Sequence, residues 1–231
     1  MADAGIQGTI SFAGRVERPV RQPLPQRIGG FGGVAGLAGA LKDGGFTHLV
    51  DATHPFASQM SLNAIAASKE AGIPMLALTR APWQPTSEDT WIRVQDIPEA
   101  VAWLNRAALR IMLAVGRMHL ADFALNPQHF YLLRLVDPPK TKLALPDTEI
   151  VVDRGPFSVE GDLALMKKHQ IELVVSKNSG GTGASAKLLA ARQLGLPVLM
   201  IDRPAMPDRP VAHSVQTVLD WLRHSGTDLG V

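Results

Sequence analysis

Short aliphatic runs alternate along this chain with Ala- and Leu-rich stretches of helical period, and the alternation occurs twice with one spacing. Ala71-Gly72-Ile73-Pro74-Met75-Leu76, with Arg80 behind it, matches Leu194-Gly195-Leu196-Pro197-Val198-Leu199 with Arg203. The offsets agree, since 203 − 80 = 123 and 197 − 74 = 123. Strand, helix and strand in repeated succession specify βαβ units, because parallel strands need a crossover long enough to hold a helix. The expected class is therefore α/β, with two Rossmann-like three-layer domains built on parallel sheets.

In the first half Thr47 to Val50 reads as a strand, a helix opens at His54-Pro55 and runs to about Ala71, and Gly72 caps it before a strand at Ile73 to Leu78. In the second half Leu173 to Val175, Ala184 to Leu194, Gly195 and Leu196 to Ile201 repeat that grammar. Each half closes on a helix ending in Trp-Leu, at Trp103-Leu104 and Trp221-Leu222. A boundary near Asn105 to Leu109 follows, giving domains 1–106 and 107–231. The halves differ at their starts. The second opens with a strand at Arg110 to Val115, Gly116-Arg117 and a helix to about Leu125, before its second strand at Phe130 to Val136. The first opens on the counterpart of that second strand, Gly8 to Ala13. One βα unit of about 20 residues thus has no counterpart in the first domain, the unit that carries the first phosphate-binding turn in a Rossmann-type fold.

Composition narrows the function. With 46% apolar and 19% charged residues, 231 residues can bury sizeable cores. A net charge of +2 gives no support for nucleic-acid binding by bulk charge. The absence of Cys excludes disulfides, thiolate-bound zinc, iron–sulfur clusters and a Cys nucleophile, and is compatible with the cytoplasm. The N-terminus is not a signal peptide, and no run of about 18 apolar residues exists to span a membrane. The seven His have no H-x-x-x-H or H-E-x-x-H spacing, so no metal is expected, and there is no G-x-S-x-G elbow.

The polar motifs fall at strand ends, the edge where open α/β sheets bind ligands. Gly14-Arg15 follows the first visible strand, where a guanidinium accommodates the 2′-phosphate of NADP; the other reading is an exposed loop Arg. Gly29-Gly30-Phe31-Gly32-Gly33 precedes a helix, and reads either as a backbone approach to a ligand or as a flexible turn. Asp51-Ala52-Thr53-His54-Pro55 ends a strand, with His54 either contacting ligand, donating a proton or simply bonding locally. Ser176-Lys177-Asn178-Ser179-Gly180-Gly181-Thr182 makes an anion cradle or an ordinary polar loop. It is not a Walker A loop, because Ala186 and Leu188 flank Lys187. Arg117, Arg134 and Arg154 make a rim suited to a polyanion, or scattered salt bridges.

Asp51-Ala-Thr-His-Pro-Phe-Ala57, Ser176-Lys-Asn-Ser-Gly-Gly181, Arg134-Leu-Val-Asp-Pro-Pro139 and Arg154-Gly-Pro-Phe157 together resemble the precorrin-6A reductase family of cobalamin biosynthesis, from about Gly8 to Leu222. The resemblance implies NADPH-dependent reduction of the precorrin-6A macrocycle to precorrin-6B by two Rossmann-like domains, with the ligands in the cleft between them. The family usually opens with a strand and a Gly-Gly-Thr-type turn, which this chain lacks. What carries over is Gly14 and Arg15 near the adenosine phosphate, Gly29 to Gly33 near the cofactor, and Asp51, Thr53 and His54 lining the cleft. Ser176, Lys177, Asn178, Ser179, Gly180 and Gly181 face the substrate or the nicotinamide. A corrinoid precursor carries many carboxylates, and Arg117, Arg134, Arg154 and Lys177 could pair with them. His54, Asp137 and Lys177 are the candidate catalytic acids, in no order. The alternatives are a non-catalytic binder of an anionic tetrapyrrole or nucleotide, and an NADP-dependent reductase of another carboxylated substrate.

Overall fold

The structure is a computed structural model that describes residues 1–13, 21–139, 141–153 and 155–224. In chain order its strands and α-helices are β1 (Ile10–Phe12), β2 (Gln26–Ile28), α1 (Gly33–Asp43), β3 (Leu49–Asp51), α2 (Ser58–Ala71) and β4 (Met75–Leu78). Then come β5 (Trp91–Val94), α3 (Ile97–Trp103), β6 (Arg110–Ala114), β7 (Phe130–Leu135), β8 (Thr148–Val152), α4 (Val159–Lys168), β9 (Leu173–Lys177), α5 (Ala186–Gln193) and β10 (Val198–Ile201). The last two are β11 (Val211–Ala212) and α6 (Val215–His224). No helix among the described residues is long and apolar enough to cross a membrane.

The chain forms two compact units, but they do not divide at 106–107. One unit comprises residues 1–80 and 206–231, the other 81–205. The correction has a plain cause in strand pairing. β5 lies parallel to β10, from Trp91 opposite Val198 to Val94 opposite Ile201, so the strand and helix that close the first sequence repeat belong to the second unit. β11 pairs with β4 and returns the C-terminal segment to the first. A repeat in sequence identifies which segments are alike; it carries no information on which sheet each joins.

The second unit is a six-stranded parallel sheet in the order β8-β7-β6-β9-β10-β5. Alternation splits its strands between two faces. Met112, Leu132, Val174, Val198 and Met200 pack with Met166 of α4 and Leu188 of α5. On the opposite face the Tyr131 hydroxyl donates to the Asn126 carbonyl at 3.0 Å, and the Asn126 amide donates to the Val101 carbonyl of α3 at 2.9 Å. The helix expected between β6 and β7 is two 3₁₀ turns, Arg117–His119 and Ala121–Leu125. Asn126-Pro127 stops them short, since proline disfavours a helical residue before it.

The first unit splits its strands into two parallel sheets, β1-β2 and β11-β4-β3. The repeat spacing relates the strands of the two units. β7, β8 and β10 begin at 130, 148 and 198, and subtracting 123 gives 7, 25 and 75, close to the starts of β1, β2 and β4. β6, at 110 to 114, has no counterpart among the described residues of the first unit. In the second unit β6 separates β7 from β9, and among the described residues of the first no strand joins β1 to β3. Leu37, Ala38 and Leu41 of α1 pack on Ala64 and Ala67 of α2 to form the core there.

Candidate active site

In the first unit β2 runs into the glycine loop. Gly29, Gly32 and Gly33 have φ of 118°, 82° and 89°, a backbone that side chains rarely adopt. A Cβ on Gly29, Gly30, Gly32 or Gly33 would meet nothing within 4 Å, so the loop backbone is approachable where α1 begins. Arg27, which the sequence reading passed over, shapes this turn. Its guanidinium donates to the Ser11 hydroxyl at 3.0 Å, the Gly29 carbonyl at 3.1 Å and the Gly30 carbonyl at 3.1 Å, and lies 3.8 Å from the centre of the Phe31 ring. An Arg one residue from a glycine run was the available signal. Gly14 and Arg15 lie outside the described residues.

β3 ends at Asp51, whose buried carboxylate accepts from the Thr53 amide (3.1 Å), the Thr53 hydroxyl (2.7 Å) and the Ser61 hydroxyl (2.6 Å). Arg209 adds an ion pair at 3.8 Å from the segment before β11. The acid and Thr53 therefore build the loop. α2 starts at Ser58 rather than at His54, because the turn ahead of it is closed locally. The Ala57 amide donates to the His54 carbonyl at 2.7 Å, and the Phe56 amide to His54 Nδ1 at 3.2 Å. A neutral ring that accepts at Nδ1 carries its proton on Nε2.

In the second unit every strand is parallel, so all carboxyl ends share one edge, and the predicted motifs follow those ends. The loop after β9 is held firmly. Ser176 is fully buried and its hydroxyl donates to the Lys177 carbonyl at 3.2 Å. Asn178 clasps the backbone of Trp83, accepting from its amide at 2.8 Å and donating to its carbonyl at 3.0 Å. The Trp83 indole donates to the Gly181 carbonyl at 2.7 Å, and Arg203 Nε to the Asn178 carbonyl at 2.8 Å. Ser179 is buried, and its amide donates to the Lys177 carbonyl at 2.8 Å. Gly180 and Gly181 have φ of 67° and 77°. A cavity of about 290 Å³ opens beside this loop, lined by Trp83, Trp91, Arg93, Asn178, Asp202 and Arg203 among others.

Among the described residues, Arg134 departs from the expected rim of three arginines. Arg117, with 40% of its side chain exposed, stands 3.5 Å from Asp137. Arg134 has the parity of Leu132 and so points beneath α4, where it is buried in an ion pair with Asp162 and stacks 3.9 Å over the Phe157 ring. Arg154 lies outside the described residues. Burial pushes the Asp162 carboxyl up while Arg134 pulls it down, with a net rise. Burial likewise pushes the nearby Lys187 ammonium down to about 8. Among the described residues no group of three or more His, Asp or Glu gathers to hold a metal ion.

A family model described as precorrin-6x reductase CbiJ/CobK matches residues 1–223. A precorrin-6A reductase of Rhodobacter capsulatus is 53% identical over 232 residues, covering 100% of this chain and 92% of that protein. One from a Sinorhizobium species is 41% identical over 96% of this chain and 85% of its own length. A solved structure titled CobK precorrin-6A reductase superposes with a TM-score of 0.93 at 53% identity, covering 100% of this chain and 92% of that one.

Proposed function

The chain belongs to the precorrin-6x reductase CbiJ/CobK family, an oxidoreductase family of cobalamin biosynthesis, and we propose that it reduces the macrocycle of precorrin-6A to precorrin-6B with NADPH as the reductant. In this reading the first unit holds the cofactor and the second receives the carboxylated substrate. The observation that supports this division of roles is that the left-handed glycines of the first unit, Gly29, Gly32 and Gly33, lead directly into α1, whereas the Gly180-Gly181 turn of the second lies four residues short of α5.

The residues of the first unit fit a dinucleotide. The glycine loop leaves its backbone amides approachable at the start of an eleven-residue helix whose dipole favours a phosphate, with the Arg27 guanidinium beside it. Arg15 is the proposed partner of the 2′-phosphate. When bound, the nicotinamide supplies a hydride. The chain's own residues position and neutralise. Asp51 accepts three hydrogen bonds that fix the backbone carrying His54, so the imidazole Nε2–H is presented from a rigid turn as a proton donor. Lys177, at the end of β9, and Arg117 offer cations to substrate carboxylates, and Arg117 also orients Asp137.

The direct test is a nicotinamide-absorbance assay in which precorrin-6A is added to the chain with NADPH or NADH. Oxidation of NADPH that depends on precorrin-6A is the expected result. Binding of the tetrapyrrole with no oxidation of either nucleotide would instead establish a non-catalytic binder.

A further inference from the structure

Lys187 belongs to none of the motifs above, and it is buried at 7% exposure as the second residue of α5. A chain segment entering a helix usually satisfies each early carbonyl with an amide four residues on. Here the Leu188 amide bonds instead to the Ser185 carbonyl at 2.8 Å, and the Ala184 carbonyl receives the Lys187 ammonium at 2.6 Å. The same ammonium lies 4.7 Å from the centre of the Trp83 ring. Trp83 is the residue whose backbone Asn178 clasps and whose indole holds the Gly181 carbonyl. Both ends of the glycine-bearing loop thus meet at one lysine.

We infer that Lys187 is a positioning residue of the reductase, its ammonium joining the Ala184 carbonyl to the Trp83 face and so fixing the Asn178 to Ser185 loop in the form that receives substrate. The inference rests on the reading of that loop as part of the active site. A hydrophobic side chain of similar length would fill the space but leave the carbonyl without its donor and the indole without its cation. The charged groups around the ammonium are Asp162 of α4, which favours its charge, and Arg134 of β7, which opposes it; Asp153, after β8, acts on Asp162. Because burial brings Lys187 down to about 8, its hold on the loop weakens as pH rises through that value.

The experiment compares Lys187→Met, Lys187→Arg and Lys177→Ala with the parent chain, reading kcat and KM for precorrin-6A, and hydrogen exchange of the loop amides relative to their intrinsic rates. Lys187→Met should speed loop exchange and lower kcat/KM by about tenfold or more, with Lys187→Arg restoring most of it and removing the loss above pH 8. Unchanged loop exchange in Lys187→Met overturns the positioning role whatever Lys177→Ala does. Faster exchange with unchanged kinetics also overturns it; if Lys177→Ala is then equally silent, the reading of the loop as active site falls as well. Should Lys187→Met fail to fold, the parent and Lys187→Arg decide. Loop exchange in the parent must accelerate beyond the intrinsic rate above pH 8 and not do so in Lys187→Arg, and the same profile in both overturns the proposal.

Discussion

At the scale of single residues, burial decides more than sequence position does. A lysine in water titrates near 10.5, and in the folded chain burial brings Lys187 down to about 8. Between those values the unfolded chain binds a proton that the native chain does not, so stability rises with pH across the window. Below pH 8 both states are protonated and the full burial cost of roughly 3 kcal/mol is present. Tyr131 acts in the opposite sense, because its buried phenol is pushed up and favours the native state until the unfolded phenol ionises near pH 10. Urea titrations from pH 8 to 10 should therefore show the parent gaining stability relative to Lys187→Met. Parallel pH profiles for the two would assign the gain to another group. Neither Lys187 nor the Arg134–Asp162 pair was legible in the sequence. Arg134 sits in a motif that looks like a rim, and its partner lies 28 residues away on a helix. Asp51 and Thr53, expected to line the ligand cleft, bond instead to each other across two residues.

At the scale of elements, glycine placement is where sequence and structure agree most closely. Gly72 and Gly195, read as caps, have left-handed φ of 70° and 65° at the ends of α2 and α5. Gly180 is held by more than its torsion, since a Cβ there would lie 2.1 Å from the Ala81 carbonyl oxygen. Gly180→Ala should cost about 2 kcal/mol or more in a denaturant melt, from backbone strain plus an overlap with main chain that no rotamer relieves. A loss below about 0.5 kcal/mol would mean that the segment carrying Ala81 yields freely. The strands made of continuous aliphatic runs bounded by Gly and Pro were legible, whereas β2, β5, β8 and β11, shorter or mixed with polar residues, carried no such signal. Helix starts were less so: whether His54-Pro55 begins a helix or a turn depends on where the His54 ring and carbonyl send their bonds, which residue identity leaves open.

At the scale of the whole molecule, the spacing of 123 carries both the main success and the main error of reading by repeat. It related β1 to β7 and β4 to β10, and it left β6 without a counterpart among the described residues, but it placed the unit boundary 26 residues late, since 106 − 80 = 26. Among the described residues no strand joins β1 to β3 in the way that β6 joins β7 to β9 in the other unit. The exchange of end segments also sets an order of assembly during synthesis. The unit formed by residues 81–205 is one unbroken stretch and can close as soon as β10 has left the ribosome. The other begins first and finishes last, because the strand that completes the β3-β4 ladder, β11, lies near the end of the chain. For most of its translation the N-terminal segment therefore waits with an open sheet edge, and the middle of the protein is native before its beginning.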